Sequence, residues 1–406
     1  MRVSPYCLRV VIHYLWSGHL NYKNHYSINH QIQVPMAQNN VRFILTADDY
    51  GPIDFVNKGI IHHVREGNIN SVHVFSNFDR SKLKDSLNAL YDAVPGGKQL
   101  DLGIHLSLVS GSPLYQAPGK SIAETWGEFV KADNHGKYIF KGVKYFNVQY
   151  LKLSGTPGHP DYLAALDGEF DAQIKQLVDT TNEVNAGREA KLKVTCISNH
   201  QNILTISEDL FERHIAAVNR SGHDLAYRPP KVVPNWKGWL YYKLVVAAQM
   251  KKDSKALRQK MRQMFDAFQN NQYTGTKTIR MKSPSYIDIR FYSSLGSAAN
   301  KNPKAKNIPG QVIKFTNFRK HAFNGYDKVA NDPAGPVKVE MVFHLGDGPM
   351  PSQQSLEQTY PGVTRKYFDN REVEFKALER IKSRRKNKEV FDNLTSWSNC
   401  GIVTYS

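Results

Sequence analysis

The chain has 406 residues, 41% of them hydrophobic and 11% aromatic, which is enough to bury a sizeable core in one large α/β domain or two smaller ones. No apolar run is long enough to span a bilayer as a helix, and a formal net charge of +18 leaves an anionic partner open. The three cysteines, Cys7, Cys196 and Cys400, are too widely spaced for a disulfide framework or a paired-thiol zinc pattern, and a reducing, cytoplasmic setting is the simplest reading.

Residues 1–40 read as a flexible N-terminal extension. The apolar run from Cys7 to Trp16 resembles a secretory signal, but Arg9 and His13 interrupt it and no clear small-residue cleavage site follows. Val41-Arg42-Phe43-Ile44-Leu45 then reads as a buried strand, and Ile53 to Arg65 as a helix closed by Gly67. Between them stands Thr46-Ala47-Asp48-Asp49-Tyr50-Gly51. Two adjacent carboxylates at a strand end lie where α/β proteins collect binding and catalytic groups. Strand alternation points them to opposite faces, so one can ligate a cation while the other stays free as a general base. An Asp-rich turn ahead of Tyr-Gly is the alternative.

Asn70 to Phe75 is a second strand, Lys82 to Val94 a helix with Leu83, Leu87, Leu90 and Tyr91 on one face, and Leu100 to Leu108 a third strand carrying His105. This alternation predicts a parallel sheet with right-handed crossovers. Beyond a Pro-containing loop at Gly111 to Lys120, Pro160 to Val184 is a long helix and Leu192 to Ile197 a strand running into Ser198-Asn199-His200. Ser207 to Asn219 is a helix, and Asp224 to Tyr227 a short strand ending at Arg228. Trp236 to Phe268 looks helical, Ala298 to Gly310 is an exposed loop, Val337 to Phe343 is a strand followed by His344, and Arg371 to Lys386 is a helix. Between Lys231 and Lys320 stand 19 Lys and Arg against three Asp, so most of the charge excess lies in one stretch, either a solvated face or a surface for an acidic ligand.

Three histidines, His105, His200 and His344, fall at strand ends or near them. With Asp49, two of them make a carboxylate and two imidazoles, a set that suits a catalytic metal with positions left for water and substrate. Asp48 is then placed to take a proton and a further His to give one. Taken singly each His is an ordinary core or surface residue; His62 and His63 on a helix and His73 within a strand mark that background.

At these residues the sequence resembles the YdjC-like carbohydrate deacetylases, from about Val41 to the C-terminus. The likeness rests on Thr46-Ala47-Asp48-Asp49-Tyr50-Gly51, on Leu102-Gly103-Ile104-His105-Leu106-Ser107-Leu108, on Thr195-Cys196-Ile197-Ser198-Asn199-His200-Gln201, and less strongly on Glu340-Met341-Val342-Phe343-His344. The resemblance implies a TIM-type (β/α) barrel, sometimes irregular, with an insertion at about 231–335. It implies a divalent metal, Mg²⁺ or Zn²⁺, held by Asp49, His105 and His200, with Asp48 as general base, His344 as a catalytic residue near the site and Arg228 as a substrate-side residue. The implied reaction is removal of an N-acetyl group from an amino sugar or oligosaccharide, and the implied assembly is a homodimer. Two imidazoles tilt the metal towards Zn²⁺ or another transition ion, since Mg²⁺ prefers all-oxygen sites. Ser198, Asn202 and Leu204 depart from the family's usual Asp and two His.

Two other readings stay open. One is a metal-dependent hydrolase of the same barrel type acting on another amide or ester. The other is a non-catalytic binder in which Lys251, Lys252, Lys255, Arg258, Lys260 and Arg262 track an anionic polymer. No recognisable nucleic-acid motif supports the binder, and membrane association is not expected.

Overall fold

The computed structural model describes residues 41–406 apart from 155, 206, 229–230, 232–254, 276, 289–335, 360–364, 366–367, 369–370 and 384–387. The N-terminal extension, the loop at Ala298 to Gly310, the first half of the helix expected over Trp236 to Phe268, and Lys251 and Lys252 therefore lie outside the described residues. In chain order the elements are β1 (Val41–Tyr50), α1 (Asp54–Arg65), β2 (Ser71–Val74), α2 (Arg80–Ala93), β3 (Leu100–Leu106), α3 (Ile122–Trp126), β4 (Val130–Ala132), β5 (Tyr138–Phe140), α4 (Val143–Leu153) and α5 (His159–Asn185). They continue with β6 (Leu192–Asn199), α6 (Glu208–Arg220), β7 (Ala226–Tyr227), α7 (Lys255–Gln269), β8 (Ile279–Ser283), β9 (Tyr286–Asp288), β10 (Val337–Phe343), α8 (Gln353–Thr359), α9 (Arg371–Ser383), α10 (Lys388–Asp392) and β11 (Gly401–Tyr405).

Seven strands form one parallel sheet in the order β7-β6-β3-β2-β1-β10-β9. The apolar run Phe43-Ile44-Leu45 is almost fully buried, as expected of a strand with neighbours on both sides and helices over the sheet. The expected closed TIM-type barrel is not what these strands build. Closure requires the two end strands to pair with each other. Here β7 has two residues and β9 three, and they stand at opposite edges, so among the described residues the sheet is an open half-barrel. No helix among the described residues is long and apolar enough to cross a membrane.

Local signals account for the element ends. In α1, Phe55, Val56, Ile60 and Val64 form the buried face, and Gly67 follows at φ 65°, the left-handed turn that glycine adopts without strain. The start of α2 falls two residues earlier than the apolar pattern places it, because the Asp79 carboxylate caps it by accepting from the Lys82 backbone N–H at 3.1 Å. A strap from the C-terminal part holds the sheet: Trp397 donates its backbone N–H to Asp101 at 2.8 Å and its indole N–H to Ser71 at 3.0 Å.

One buried histidine is purely a cost to this core. His214 on α6 is fully enclosed against Phe170 and Tyr227, and neither ring nitrogen has a hydrogen-bond partner among the described residues. Burial pushes it from 6.5 down to about 3. The folded protein therefore refuses a proton that the unfolded chain accepts. Stability from this group is complete above pH 6.5 and is lost as pH falls towards 3, at about 1.4 kcal/mol per pH unit. His214→Leu removes that slope. Urea midpoints at pH 7 and pH 5 are expected to show the variant gaining about 2 kcal/mol over wild type between the two; an unchanged gap would place the ring in water.

Candidate active site

β1 does not end ahead of the aspartates but runs through them to Tyr50. Its register against β2 shifts between Ala47 and Tyr50, and Asp49 takes a φ of 70°. Asp tolerates this left-handed backbone at a cost of about 1 kcal/mol. A bulge of this kind re-aims side chains. Strict alternation would part the two carboxylates, yet both are buried in one cluster, where they keep different partners.

Asp49 is the hub of the first set. Its Oδ1 lies 3.1 Å from His105 Nε2 and 3.1 Å from His200 Nδ1, and those two nitrogens are 3.3 Å apart. Its Oδ2 is held by the Arg371 guanidinium, which α9 presents from its first turn. Burial pushes the Asp49 carboxyl up, but Arg371 and then His200 hold it well below the usual carboxylate range. A carboxylate oxygen and two imidazole nitrogens with all donor atoms within 4.8 Å of one another fit a borderline divalent cation.

Asp48 lies in a second set of a different kind. Arg228, at the end of β7, donates from Nη1 to Asp48 Oδ2 at 2.7 Å and from Nη2 to Asp48 Oδ1 at 2.8 Å. It also donates to Glu340 of β10, from Nε to Oε1 and Oε2 at 3.0 and 2.9 Å and from Nη2 to Oε1 at 2.6 Å. His73 of β2 reaches this group through Nδ1, 2.8 Å from Arg228 Nη2 and 3.3 Å from Asp48 Oδ1. Asp48, His73 and His105 also bring donor atoms within 4.8 Å of one another, but a guanidinium lies against two of them, and its charge opposes a cation there. Burial raises Asp48, and Arg228 more than reverses it, leaving the group ionised. Burial, reinforced by Arg228, pushes His73 down to about 3, so its ring is neutral.

The structure thus gathers Asp48, Asp49, His105, His200 and Arg228 at the carboxyl edge of the sheet. His344, just past β10, is half-buried, and its backbone N–H donates to Glu374 Oε2 at 2.6 Å. Burial pushes the ring down to about 4; Asp49 opposes that and Arg371 adds to it. Arg228, read from sequence as facing substrate, is buried with its nitrogens on Asp48, Glu340 and His73.

Four further residues escaped the sequence reading. Arg371 is distant in sequence and carries no local signal, and Glu340 opens the fourth motif with nothing to mark it as a partner of Arg228. Ser198 was a departure from a motif, and His73 was background. A clue to His73 stood in Gly103, its register partner on β3: a Cβ there would lie 2.0 Å from His73 Cδ2, so the ring needs that position bare. Beyond the pair, Gly51 borders a cleft of about 860 Å³ that also carries Phe78, Lys58, Lys82 and Ser112.

The sequence pattern of the YdjC-like proteins matches residues 42–388. The chain belongs to the YdjC-like family. A crystal structure from Enterococcus faecalis, provisionally named a cellobiose-phosphate cleavage protein, is similar at 15% identity and a TM-score of 0.48, covering 88% of this chain and 98% of that one. Among curated proteins no sequence match was found. Every motif residue of the site, from Asp48 to His344, lies inside the matched span.

Proposed function

We propose that this YdjC-like protein is a metal-dependent carbohydrate deacetylase that hydrolyses the N-acetyl group of an amino sugar or oligosaccharide. The observation that carries the reading is the convergence of His105 Nε2 and His200 Nδ1 on one Asp49 oxygen, 3.1 Å from each. Asp49, His105 and His200 would hold the ion, and Arg371 on the other oxygen leaves Asp49 one oxygen to offer. When bound, a divalent cation supplies Lewis acidity, which acidifies water and polarises a carbonyl.

The remaining work falls to side chains. Asp48 is the general base, and Arg228 keeps it ionised and aimed without touching substrate. His344 carries one ring proton at neutral pH, so it must gain a second before it can protonate the departing nitrogen. The cleft beside Gly51 has the volume of a small-ligand site and offers the ring of Phe78 with Lys and Ser donors to a sugar. Zn²⁺ matches the two-imidazole set better than Mg²⁺ does.

The test is metal content by elemental analysis, paired with acetate release from N-acetylated chito-oligosaccharides before and after chelation. Metal retained through purification and acetate released only with it is the expected outcome. Bound metal with no acetate from any N-acetyl sugar would move the activity to another amide or ester.

A further inference from the structure

His105 is tied to the Arg228 cluster through one hydroxyl. Its Nδ1 lies 2.8 Å from Ser198 Oγ, and the same Oγ lies 2.7 Å from His73 Nδ1. The strand register dictates this: His105 is paired with Ser198 across β3 and β6, and His73 lies on β2 on the other side of β3. With one proton on each ring, two proton arrangements satisfy the chain. In one, protons point from His105 to Ser198 to His73; in the other, from His73 to Ser198 to His105. They leave His105 Nε2, the atom facing Asp49, with a lone pair or with a proton respectively.

Arg228 breaks the tie. A guanidinium nitrogen has protons and no lone pair to offer. Nη2 has two protons for Asp48, Glu340 and His73 Nδ1, all within 2.8 Å, and a protonated Nδ1 would bring its N–H against a cationic nitrogen that cannot accept it. His73 Nδ1 is therefore the lone-pair nitrogen. Ser198 Oγ must then donate to it, and so can only accept from His105. The far side agrees: Cys196 Sγ is 3.2 Å from His73 Nε2, and its thiol has Leu102 O to donate to at 3.7 Å, leaving sulfur to accept.

We infer that Ser198 and His73 are positioning residues which, set by Arg228, fix the proton of His105 on Nδ1 and leave its Nε2 lone pair aimed at Asp49. The tautomer follows from the hydrogen bonds alone; its consequence for a cation rests on the metal site proposed above. A lone pair 3.1 Å from a carboxylate oxygen is a repulsive contact that a cation between the two would relieve. A carboxylate at position 198, the usual residue of the family, could accept from His105 but could not donate to His73. The hydroxyl is what couples His105 to Arg228.

Full-length protein carrying ¹⁵N-labelled histidine, stripped of metal, reports the tautomers directly through long-range ¹H–¹⁵N spectra. Spectra of His73→Asn and His105→Gln supply the assignments. The expected result is His105 protonated on Nδ1 and His73 on Nε2. Ser198→Asp should leave His105 protonated on Nδ1 and His73 on Nε2, because its carboxylate still accepts from His105 and Arg228 still keeps a proton off His73 Nδ1; a changed tautomer at either ring would overturn the relay. Zinc affinity, read by competition with a chromophoric chelator, should fall about 10–100-fold in Ser198→Ala and His73→Leu. It should hold in His73→Asn, whose side-chain oxygen keeps an acceptor near the place of Nδ1. Wild-type protein with His105 protonated on Nε2 would overturn the inference, as would unchanged zinc affinity in both Ser198→Ala and His73→Leu. Wild type that takes up no zinc yet shows the expected tautomers would uphold the relay and refute the metal centre.

Discussion

Asp49→Ala is expected to lower metal content and acetate release together, whereas Asp48→Asn is expected to keep the metal and lose about 10²–10⁴-fold in turnover. The difference comes from where the two carboxylates are anchored. Asp49 supplies the oxygen on which His105 and His200 converge, so removing it takes away one of three candidate ligands together with the carboxylate that Arg371 holds. Asp48 has its oxygens engaged by Arg228 and His73 instead. An amide at 48 keeps the shape and one acceptor but cannot hold a proton as a base does. Metal content by elemental analysis and turnover on chitobiose-type substrates separate the two. Equal metal loss in both variants would end this division of labour.

Those two roles could be proposed from the sequence because the pattern that suggests them is local. A strand, a carboxylate pair, and histidines closing the third and sixth strands put the groups on one sheet edge before any contact is known. What the sequence could not carry is pairwise and long-range. The bulge at Asp49 is a register shift between strands, invisible in one strand alone, and without it alternation would have parted the two carboxylates. Among the described residues the sheet is open because β7 and β9 stand at opposite edges, and the helix–strand alternation is the same in open and closed sheets. His73 was passed over because a histidine in an apolar strand is usually packing; its neighbours Ser198, Arg228 and Asp48 come from three other strands or their ends. Arg371 reaches Asp49 across 322 positions of sequence, and no spacing rule connects them.

Arg228→Met is the substitution expected to cost the most stability. Arg228 ion-pairs with both Asp48 and Glu340, which are fully enclosed, and it satisfies oxygens of each. Removing one partner of a buried ion cluster leaves uncompensated charge and costs about 3–5 kcal/mol. Burial already raises Glu340, and the guanidinium only partly offsets that, so Glu340 is the group that takes up a proton when Arg228 is lost. The sign with pH follows. Asp48 is depressed in the folded wild type, so its contribution is present above the ordinary carboxylate range and fades as pH falls through its folded value. The deficit of Arg228→Met against wild type should therefore shrink on acidification below pH 4. Pairing the change with Glu340→Gln removes one of the two stranded charges and should recover part of the loss at neutral pH, a coupling that a double-mutant cycle of urea midpoints measures. A loss under about 1 kcal/mol for Arg228→Met alone would mean that Asp48 and Glu340 are compensated without the guanidinium, and that Arg228 is not what keeps Asp48 ionised.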